Sequence, residues 1–501
     1  MIFYTPVEHP TAQGSNLRMH SLFVNDGWRL NPHLSFNVGL RWDKNQGQDG
    51  GGAVVANAGL VSPRLAATWD PKGDGRWAVS GSYALYVMPM TSNVAASATA
   101  AGNASLYAWL YQGPAINAVA SGPLITSDVA IQQVFDWFDG NGGRTRPTVG
   151  SFLPGVNVRV LTPLKSPHAH EYAVGTSRQI GTRVTVRIDG VFRTYRDFYT
   201  QRVDLTTGKV ADTLGNRYDL FLVENTNNAK RRYSGMTTQA SYRVSGDLDV
   251  GGNYTLSRLR GNFDGETSAS GPSVAQVDAF PEYKDPSWNA PEGDLAADQR
   301  HRARLWATYA SPMPERAGKL TFGLLQQIGS GVPYGAVGTG PSTGVNAAPF
   351  VVPNPGYLVP QAPSGGVDYY YTARDAFRTE TTYRTDLSIN YAYRIAARAS
   401  QPELFFHGEV LNVFNQFQLC GCGGSVFSNG GATDLTTIGQ AIRTPRNAST
   451  VYPAFNPFTT TPVKGVNWDF NTTPGSAFGS ALNQFAYTSP RILRFSAGVR
   501  F

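Results

Sequence analysis

The clearest feature of the chain is a strict alternation of apolar and polar residues over many short stretches. From Leu34 to Trp42 every even position is apolar and every odd position is polar or glycine. From Tyr383 to Ile395 most odd positions are apolar, and the last residues of the chain alternate in the same way. Successive side chains of a β-strand point to opposite faces, so this period predicts strands with one apolar and one polar face.

The same pattern recurs along the chain and predicts about thirteen strands. They lie near 18–30, 34–44, 60–70, 76–88, 168–180, 183–200, 231–244, 248–260, 299–311, 318–329, 380–395, 402–415 and 489–501. Short turns rich in Gly, Pro, Asn or Asp join some neighbours, as tight turns require. Other connections are long and lack clear alternation, namely 89–167, 201–230, 262–298, 331–379 and 417–487.

Strand length and connection length together favour a membrane barrel over a soluble sandwich. Most predicted strands exceed the usual length of about five or six residues and suit a tilted membrane crossing of about nine to eleven. Counting back from a last strand that descends to the periplasm places every short turn on the periplasmic side and every long loop outside. We therefore predict an all-β, antiparallel transmembrane β-barrel with short periplasmic turns and long extracellular loops.

Composition narrows the functional classes. Charged residues make up 15% of the chain, against about 25% in an average soluble domain. The net charge is +7, and the arginines are scattered, which argues against a nucleic-acid partner. We find no Ser-His-Asp elbow, HExxH or phosphate-binding loop, so we expect neither an enzyme nor a cofactor. The N-terminal residues do not have the pattern of a signal peptide.

Charged residues in the predicted strands should face the barrel lumen. They are Arg183, Arg187, Asp189, Arg193, Arg384, Asp386, Arg394, His407 and Glu409. They would contact a protein or a passing solute inside the lumen, or they would simply form the polar interior that every such barrel has.

Two cysteines, Cys420 and Cys422, lie in a long loop. Two thiolates fall short of the four ligands of a structural zinc site, so in an oxidising compartment we expect a local disulfide. His168 and His170 could project two imidazoles from one strand, but no third metal ligand is evident nearby.

Several segments resemble the barrel of TonB-dependent receptors, in particular the Oar-like group. The matching segments follow the order of the family: 22–32 with 36–43, Ser62–Leu65 with Trp69–Pro71, Asp298–Arg302, Glu409–Asn415 and the terminal 491–501. The resemblance implies a barrel of about 22 strands around a plug, and uptake of a bulky nutrient driven by TonB.

The same resemblance implies that residues 1–501 are a partial barrel, corresponding to its last thirteen strands or so. We expect a plug, a TonB box and a regulatory-like domain to be absent, so that TonB would act only through a plug outside this chain. The terminal strand resembles the signal read by the barrel-assembly machinery. That signal would comprise Leu493, Phe495, Ala497, Val499 and Phe501.

The leading hypothesis is therefore a receptor and transporter in the outer membrane of a Gram-negative bacterium, in contact with outer-membrane lipid. Siderophores, oligosaccharides and peptides all remain open as ligands. A structural or adhesive outer-membrane protein without active transport is the alternative, and a soluble secreted β protein is a third reading.

Overall fold

The computed structural model of the protein describes most of the chain. The described residues are 2–4, 16–48, 52–90, 106–117, 124–146, 150–153, 156–204, 209–211, 215, 217–265, 274–275, 277–278, 290–340, 346–347, 350–351, 367–395, 402–421, 463–466, 469–470, 475 and 477–500.

One sheet contains thirteen long strands, each of which pairs antiparallel with the next long strand in the chain, and the short strand Gly293–Asp294, which pairs with Arg260 and Gly261. The long strands are β1 (Asn16–Asn31), β2 (Leu34–Gln48), β3 (Val54–Trp69), β4 (Trp77–Val87), β5 (His168–Ile180), β6 (Val184–Arg196), β7 (Arg231–Arg243), β8 (Leu248–Gly261), β9 (His301–Ser311), β10 (Lys319–Gly329), β11 (Thr382–Arg394), β12 (Glu403–Leu411) and β13 (Ile492–Arg500). The predicted all-β class and the predicted strands are confirmed. Within the described residues no pairing joins β1 to β13, which lie at the two edges.

The strand predicted over 183–200 is interrupted in the structure. Asp197 has φ of 56°, a left-handed conformation that ends β6 at Arg196. The following strand, Phe198–Val203, leaves the large sheet and pairs with Phe221–Thr226 instead. The alternation is interrupted at the same point, because Arg196 and Asp197 are both polar and Phe198 and Tyr199 are both aromatic. This local signal could have located the break.

Connections alternate between the two ends of the sheet because consecutive strands run in opposite directions. At one end, the turn end, they are short: 32–33, 70–76, 181–183, 244–247, 312–318 and 395–402. At the other end, the loop end, they are 49–53, 88–167, 197–230, 262–300, 330–381 and 412–491. The predicted separation of short turns from long loops is therefore present.

The loop end contains further secondary structure, which the sequence pattern did not predict. It includes a helix, α1 (Ser127–Gly140), and 3₁₀ turns at Gly143–Thr145 and Gln484–Ala486; another 3₁₀ turn, Glu315–Ala317, lies at the turn end. A three-stranded sheet contains Ile2–Tyr4, Leu106–Trp109 and Gly150–Phe152, and a four-stranded sheet contains Val158–Arg159, Phe198–Val203, Phe221–Thr226 and Val274–Ala275. Two-stranded sheets pair Lys209–Ala211 with Arg217–Asp219, Pro333–Tyr334 with Phe377–Arg378, Val337–Gly340 with Val367–Tyr370, and Asn346–Ala347 with Phe350–Val351. Among the described residues, no helix has the length and hydrophobicity needed to cross a membrane.

The two faces of the large sheet differ in chemistry. Residues directly opposite each other in the register share a face. We call one the apolar face; it carries Leu40, Val174, Ile188, Leu305 and Leu387. We call the other the polar face; it carries Arg41, Asp189, Thr237, Arg304 and Asp386.

The packed core lies at the loop end. Tyr107, Trp109, Phe138 and Leu153 form one buried cluster, in which α1 supplies Phe138. A second cluster contains Tyr195 and Phe198. The long loops therefore fold into a layer with its own cores, which we call the loop layer.

Candidate ligand-binding site

The polar face carries most of the charged residues predicted to line a lumen. Arg183 instead lies in the exposed turn between β5 and β6. The register places the others on the polar face: Arg187, Asp189, Arg193, Arg384, Asp386, Arg394, His407 and Glu409. Whether this face encloses a lumen remains a prediction.

Ion pairs join many of these side chains. Arg187 Nε donates to Asp189 Oδ2 at 2.6 Å, and Arg384 Nε donates to Asp386 Oδ1 at 2.8 Å. These pairs join residues two apart on one strand. Others cross between strands: Arg494 Nη1 donates to Glu409 Oε1 at 3.2 Å. The polar face is thus largely self-neutralised, which suits the wall of an aqueous space more than a site for one strongly charged ligand.

The sheet opens between β3 and β4 near the loop end. Their pairing covers only Arg64–Trp69 of β3. It stops beside Pro63, which has no N–H to donate. A loop segment fills the gap, since Leu164 N donates to Val55 O at 2.9 Å and the Asn45 amide donates to the Ser166 hydroxyl.

A polar pocket of about 220 Å³ lies in this opening. Its lining includes Asp43, Lys165, Ser166, His168 and Asp197. His168 Nδ1 is 3.6 Å from Asp197 Oδ2, and this nitrogen has no hydrogen-bond partner in the structure. An ammonium, an imidazole and two carboxylates around one small cavity can contact a solute that both donates and accepts hydrogen bonds.

His170 does not complete a metal site with His168. Its Nδ1 lies 2.9 Å from the Tyr83 hydroxyl, and the two imidazole rings meet edge to face with centroids 5.3 Å apart. Across the part of the chain that the structure describes, no cluster of three or more His, Cys, Asp or Glu side chains could hold a metal ion.

A second feature of the loop end is a network in which three partly exposed arginines surround two buried aspartates. Arg258 Nε donates to Asp294 Oδ1 at 2.8 Å, and Arg300 Nη2 donates to Asp294 Oδ2 at 2.7 Å. Arg378 Nη2 lies 2.7 Å from an oxygen of each of Asp294 and Asp298. We call these five residues the arginine–aspartate network. It joins the end of β8 to the loops 262–300 and 330–381.

The network keeps Asp294 ionised. Burial alone would raise the pKa of Asp294, but the hydrogen bond from Arg258 and the charges of the other arginines outweigh burial and lower it. Asp298 is fully buried and also accepts a hydrogen bond from the backbone N of Leu259 at 2.7 Å. A carboxylate with several charged donors is a strong anchor for a loop.

Arg378 also belongs to a junction with the loop that precedes β13. Its neighbour Phe377 packs edge to face on Phe478, with ring centroids 5.1 Å apart. Phe470 stacks on Phe478 at 4.5 Å, and Tyr334 lies 5.5 Å from it. The adjacent residues 377 and 378 thus connect three long loops. Together, the pocket and this junction give the loop end a defined surface.

The cysteine pair is only partly described. Cys420 is buried and disulfide-bonded, and its backbone N donates to Ala486 O at 2.9 Å. Cys422 lies outside the described residues, so the pairing of these two cysteines stays a prediction.

The terminal strand β13 forms an edge of the sheet. Leu493, Phe495, Ala497 and Val499 lie exposed on the apolar face, opposite β12. Phe501 lies outside the described residues. An exposed edge with alternate apolar side chains has the form needed for strand addition, although no partner is present.

Sequence reasoning missed the arginine–aspartate network and α1. The network joins residues far apart in the chain, since Asp298 and Arg378 are separated by 80 positions, and no local pattern signals such a contact. The helix did have a signal: Ile131, Val134, Phe135 and Phe138 recur at helical spacing inside a predicted loop.

Comparisons with known proteins agree with this architecture. A family model described as "TonB dependent receptor-like, beta-barrel" matches residues 3–362. No curated protein matches the chain.

Similar solved structures include the outer membrane transporter YddB from Escherichia coli, at 13% identity and a TM-score of 0.46, covering 80% of this chain and 42% of that one. The siderophore receptor PiuA from Acinetobacter baumannii has 12% identity and a TM-score of 0.41, with 81% and 40% covered. The FrpB iron transporter from Neisseria meningitidis has 13% identity and a TM-score of 0.42, with 81% and 42% covered. The chain thus spans about four tenths of the length of these structures.

Proposed function

Because the chain belongs to the TonB-dependent receptor-like β-barrel family, we propose that it forms part of the wall of an outer-membrane receptor and serves the uptake of a bulky solute. The observation that carries this proposal is the separation of the two ends: all the long loops lie at one end of a sheet with one apolar and one polar face. That arrangement suits lipid on one side, water on the other and a ligand surface outside the cell.

Solute would first contact the loop layer. The polar pocket between β3 and β4, with Lys165 and His168, offers both donors and acceptors. The charged side chains of the polar face, which would line the lumen, lie further along the strands than this pocket. Siderophores, oligosaccharides and peptides all carry the hydroxyl, amide or carboxylate groups that such a path can contact.

We propose further that the chain belongs to the Oar-like group and corresponds to the C-terminal part of the barrel. The motifs Asp298–Arg302 and Glu409–Asn415, in the family's order, support this placement. Force from TonB would reach the wall through a plug, and the terminal apolar residues of β13 would serve the barrel-assembly machinery. Location in the outer membrane of a Gram-negative bacterium follows from the same proposal.

Epitope insertion tests the orientation. One tag is inserted after Ala115, in the loop layer, and a matched tag at Gly246, where an added side chain meets open space at the turn end. Antibody should label intact cells only with the first tag, and both tags after the outer membrane is permeabilised. Labelling of the Gly246 tag on intact cells would overturn the orientation.

Growth tests uptake. A strain without the gene is compared with its parent on limiting iron–siderophore chelates, oligosaccharides and peptides, each as the only source of one nutrient. We expect slower growth on one class and recovery when the gene is restored, whereas unchanged growth on all three would contradict an uptake role. Replacing Lys165 by Gln, with Lys72 at the turn end as the matched control, then tests the pocket.

A further inference from the structure

The apolar face changes in chemistry toward the loop end of β1, β2 and β3. Residues in register across these strands share that face and form rows, which become first cationic and then rich in amides. From the middle of the sheet toward the loop end, the rows are Leu22, Trp42 and Val61; His20, Lys44 and Gly59; Arg18, Gln46 and Asn57; and Asn16, Gln48 and Val54. We call the last three rows the loop-end rows.

The two outermost rows line a pocket of about 330 Å³. Its polar lining consists of four amide side chains and one guanidinium group, from Asn16, Arg18, Gln46, Gln48 and Asn57. Gln46 and Gln48 are exposed, and their side chains make no hydrogen bond within the described part of the chain. An amide both donates and accepts hydrogen bonds, which are the contacts that sugar hydroxyls need.

The two permanent cations of the loop-end rows contact only neutral side chains. Arg18 Nε donates to Asn16 Oδ1 at 3.2 Å, and Lys44 Nζ donates to Asn57 Oδ1 at 2.7 Å. Among the residues that the structure describes, no carboxylate forms an ion pair with either cation. Their positive charges are therefore available to an anion.

Carboxylates elsewhere near the loop end are already paired. Asp43 precedes Lys44 but lies on the polar face, where it pairs with Arg41 at 2.8 Å. Arg232 and Arg260, at the same end of β7 and β8, both interact with the carboxylate of Glu292. The uncompensated cations of the apolar face thus lie on β1 and β2.

Gly59 leaves a notch between the apolar rows and the cationic row. It is exposed, and a Cβ built on it would lie 3.6 Å from Trp42 Nε1 and 3.6 Å from Lys44 Cδ. The polar edge of the indole and the stem of the lysine therefore border the same gap. Tryptophan prefers the level at which lipid headgroups meet acyl chains, so the notch lies where a headgroup would begin.

We propose that the loop-end rows bind a phosphorylated glycolipid, with a phosphate at Arg18 and Lys44, the sugar in the amide pocket and the acyl chains along the apolar rows. This inference rests on the proposed function, which places the apolar face in the membrane and the loop end outside. Free phosphate has no group for the amides or the apolar rows, and a simple phospholipid has no sugar ring for the pocket. A further strand paired along the edge of β1 would leave this face uncovered.

The test uses the full chain in phosphatidylcholine nanodiscs that also contain bisphosphorylated lipid A, dephosphorylated lipid A or phosphatidylglycerol. Lipids that remain bound after transfer to detergent are counted by native mass spectrometry. We expect bisphosphorylated lipid A to be retained most strongly, and R18Q/K44Q to bind it about 25-fold more weakly, from two lost charge contacts. R29Q/K72Q removes two exposed cations near the turn end and should change nothing.

A second pair of variants tests the sugar contacts independently of charge. Q46A/Q48A should bind bisphosphorylated lipid A about 5-fold more weakly, from two lost hydrogen bonds, and should leave phosphatidylglycerol binding unchanged. Q179A/Q239A, which removes two exposed glutamines from the polar face, is the matched control. Equal weakening by both double variants, or equal retention of lipid A and phosphatidylglycerol, would overturn the glycolipid assignment.

The remaining outcomes separate this inference from the proposed function. Equal weakening by R18Q/K44Q and R29Q/K72Q, or full competition by inorganic phosphate, would overturn the glycolipid site while leaving the membrane placement intact. Failure of the unaltered chain to enter nanodiscs of any composition would overturn the membrane placement and the glycolipid site together.

Discussion

Large apolar side chains are exposed on the large sheet but buried in the loop layer. On the sheet, Leu22 and Phe495 are each 68% exposed and Val174 is 63% exposed. In the loop layer, Trp109 is 1% exposed and Phe198 is fully buried. Both regions belong to one chain and meet at the ends of the same strands.

The difference is the one expected if the two regions have different solvents, as the proposed function requires. A protein surrounded by water rarely exposes a large continuous apolar surface, whereas a strand in lipid must present one. The loop layer has to stabilise itself in water, and so it builds aromatic clusters and buried ion pairs of its own. Long loops can therefore be ordered without a place in the sheet.

The largest expected effect comes from removing a buried aromatic of the loop layer. Trp109→Ala leaves a cavity beside Phe138 and removes the hydrogen bond from Trp109 Nε1 to Arg146 O. We expect a loss of about 3–5 kcal/mol of loop-layer stability, measured by hydrogen exchange in the loops. Trp28→Ala, on the apolar face of β1, is the control. An equal loss from Trp28→Ala would break the comparison.

The next effect tests the solvent of the apolar face. Leu305 on β9 is 52% exposed, so in water a charge there would cost little. In lipid, Leu305→Arg should cost about 2–4 kcal/mol. Thr308→Arg, on the polar face of the same strand and opposite Asp249, should be close to neutral. The free energy of unfolding of both variants is measured by guanidinium titration in lipid vesicles. Equal values for the two variants would contradict a lipid-facing surface.

The strands of the sheet could be predicted from the sequence because the alternation of apolar and polar residues depends only on neighbouring positions. Alternation places Arg384 and Asp386 on one face without any knowledge of the partner strands, and their ion pair follows from being two residues apart. The same alternation gave thirteen strands within a few residues of their bounds. It failed at Asp197, where the backbone turns out of the sheet, although two adjacent polar residues followed by two aromatic residues already interrupt the alternation there.

The loop layer was not predictable in the same way. The contact between Arg378 and Asp298 depends on how two loops fold back over the strand ends, and nothing near either residue specifies it. The pocket lined by Lys165 and His168 exists because a loop segment replaces part of β4 beside β3. A sequence without an alignment gives no information on such long-range contacts. The charged residues of the loops could therefore be identified, but the contacts between them could not be predicted.

The smallest expected effect is a pH dependence of loop-layer stability. The arginines lower the pKa of Asp294 below its ordinary value of 3.8. The ionised form therefore stabilises the fold at all pH values above 3.8, and this contribution is lost as the pH falls from there through the lowered pKa. The effect is modest because Arg258, Arg300 and Arg378 are partly exposed and screened by water.

Near-ultraviolet circular dichroism, which reports the packing of aromatic side chains such as those around Phe377, measures this dependence during heating at pH 7, 5 and 3. The loop-layer transition should be the same at pH 7 and 5 and lower at pH 3. Asp294→Asn should lower it at pH 7 and reduce the further fall at pH 3. Asp70→Asn, at the turn end, should leave the loop transition unchanged, although backbone N–H groups of Gly75, Lys72 and Gly73 also lower the pKa of Asp70. If Asp70→Asn shifted the loop transition as much as Asp294→Asn, the two ends would unfold together, and the loop layer would not be a separate unit of stability.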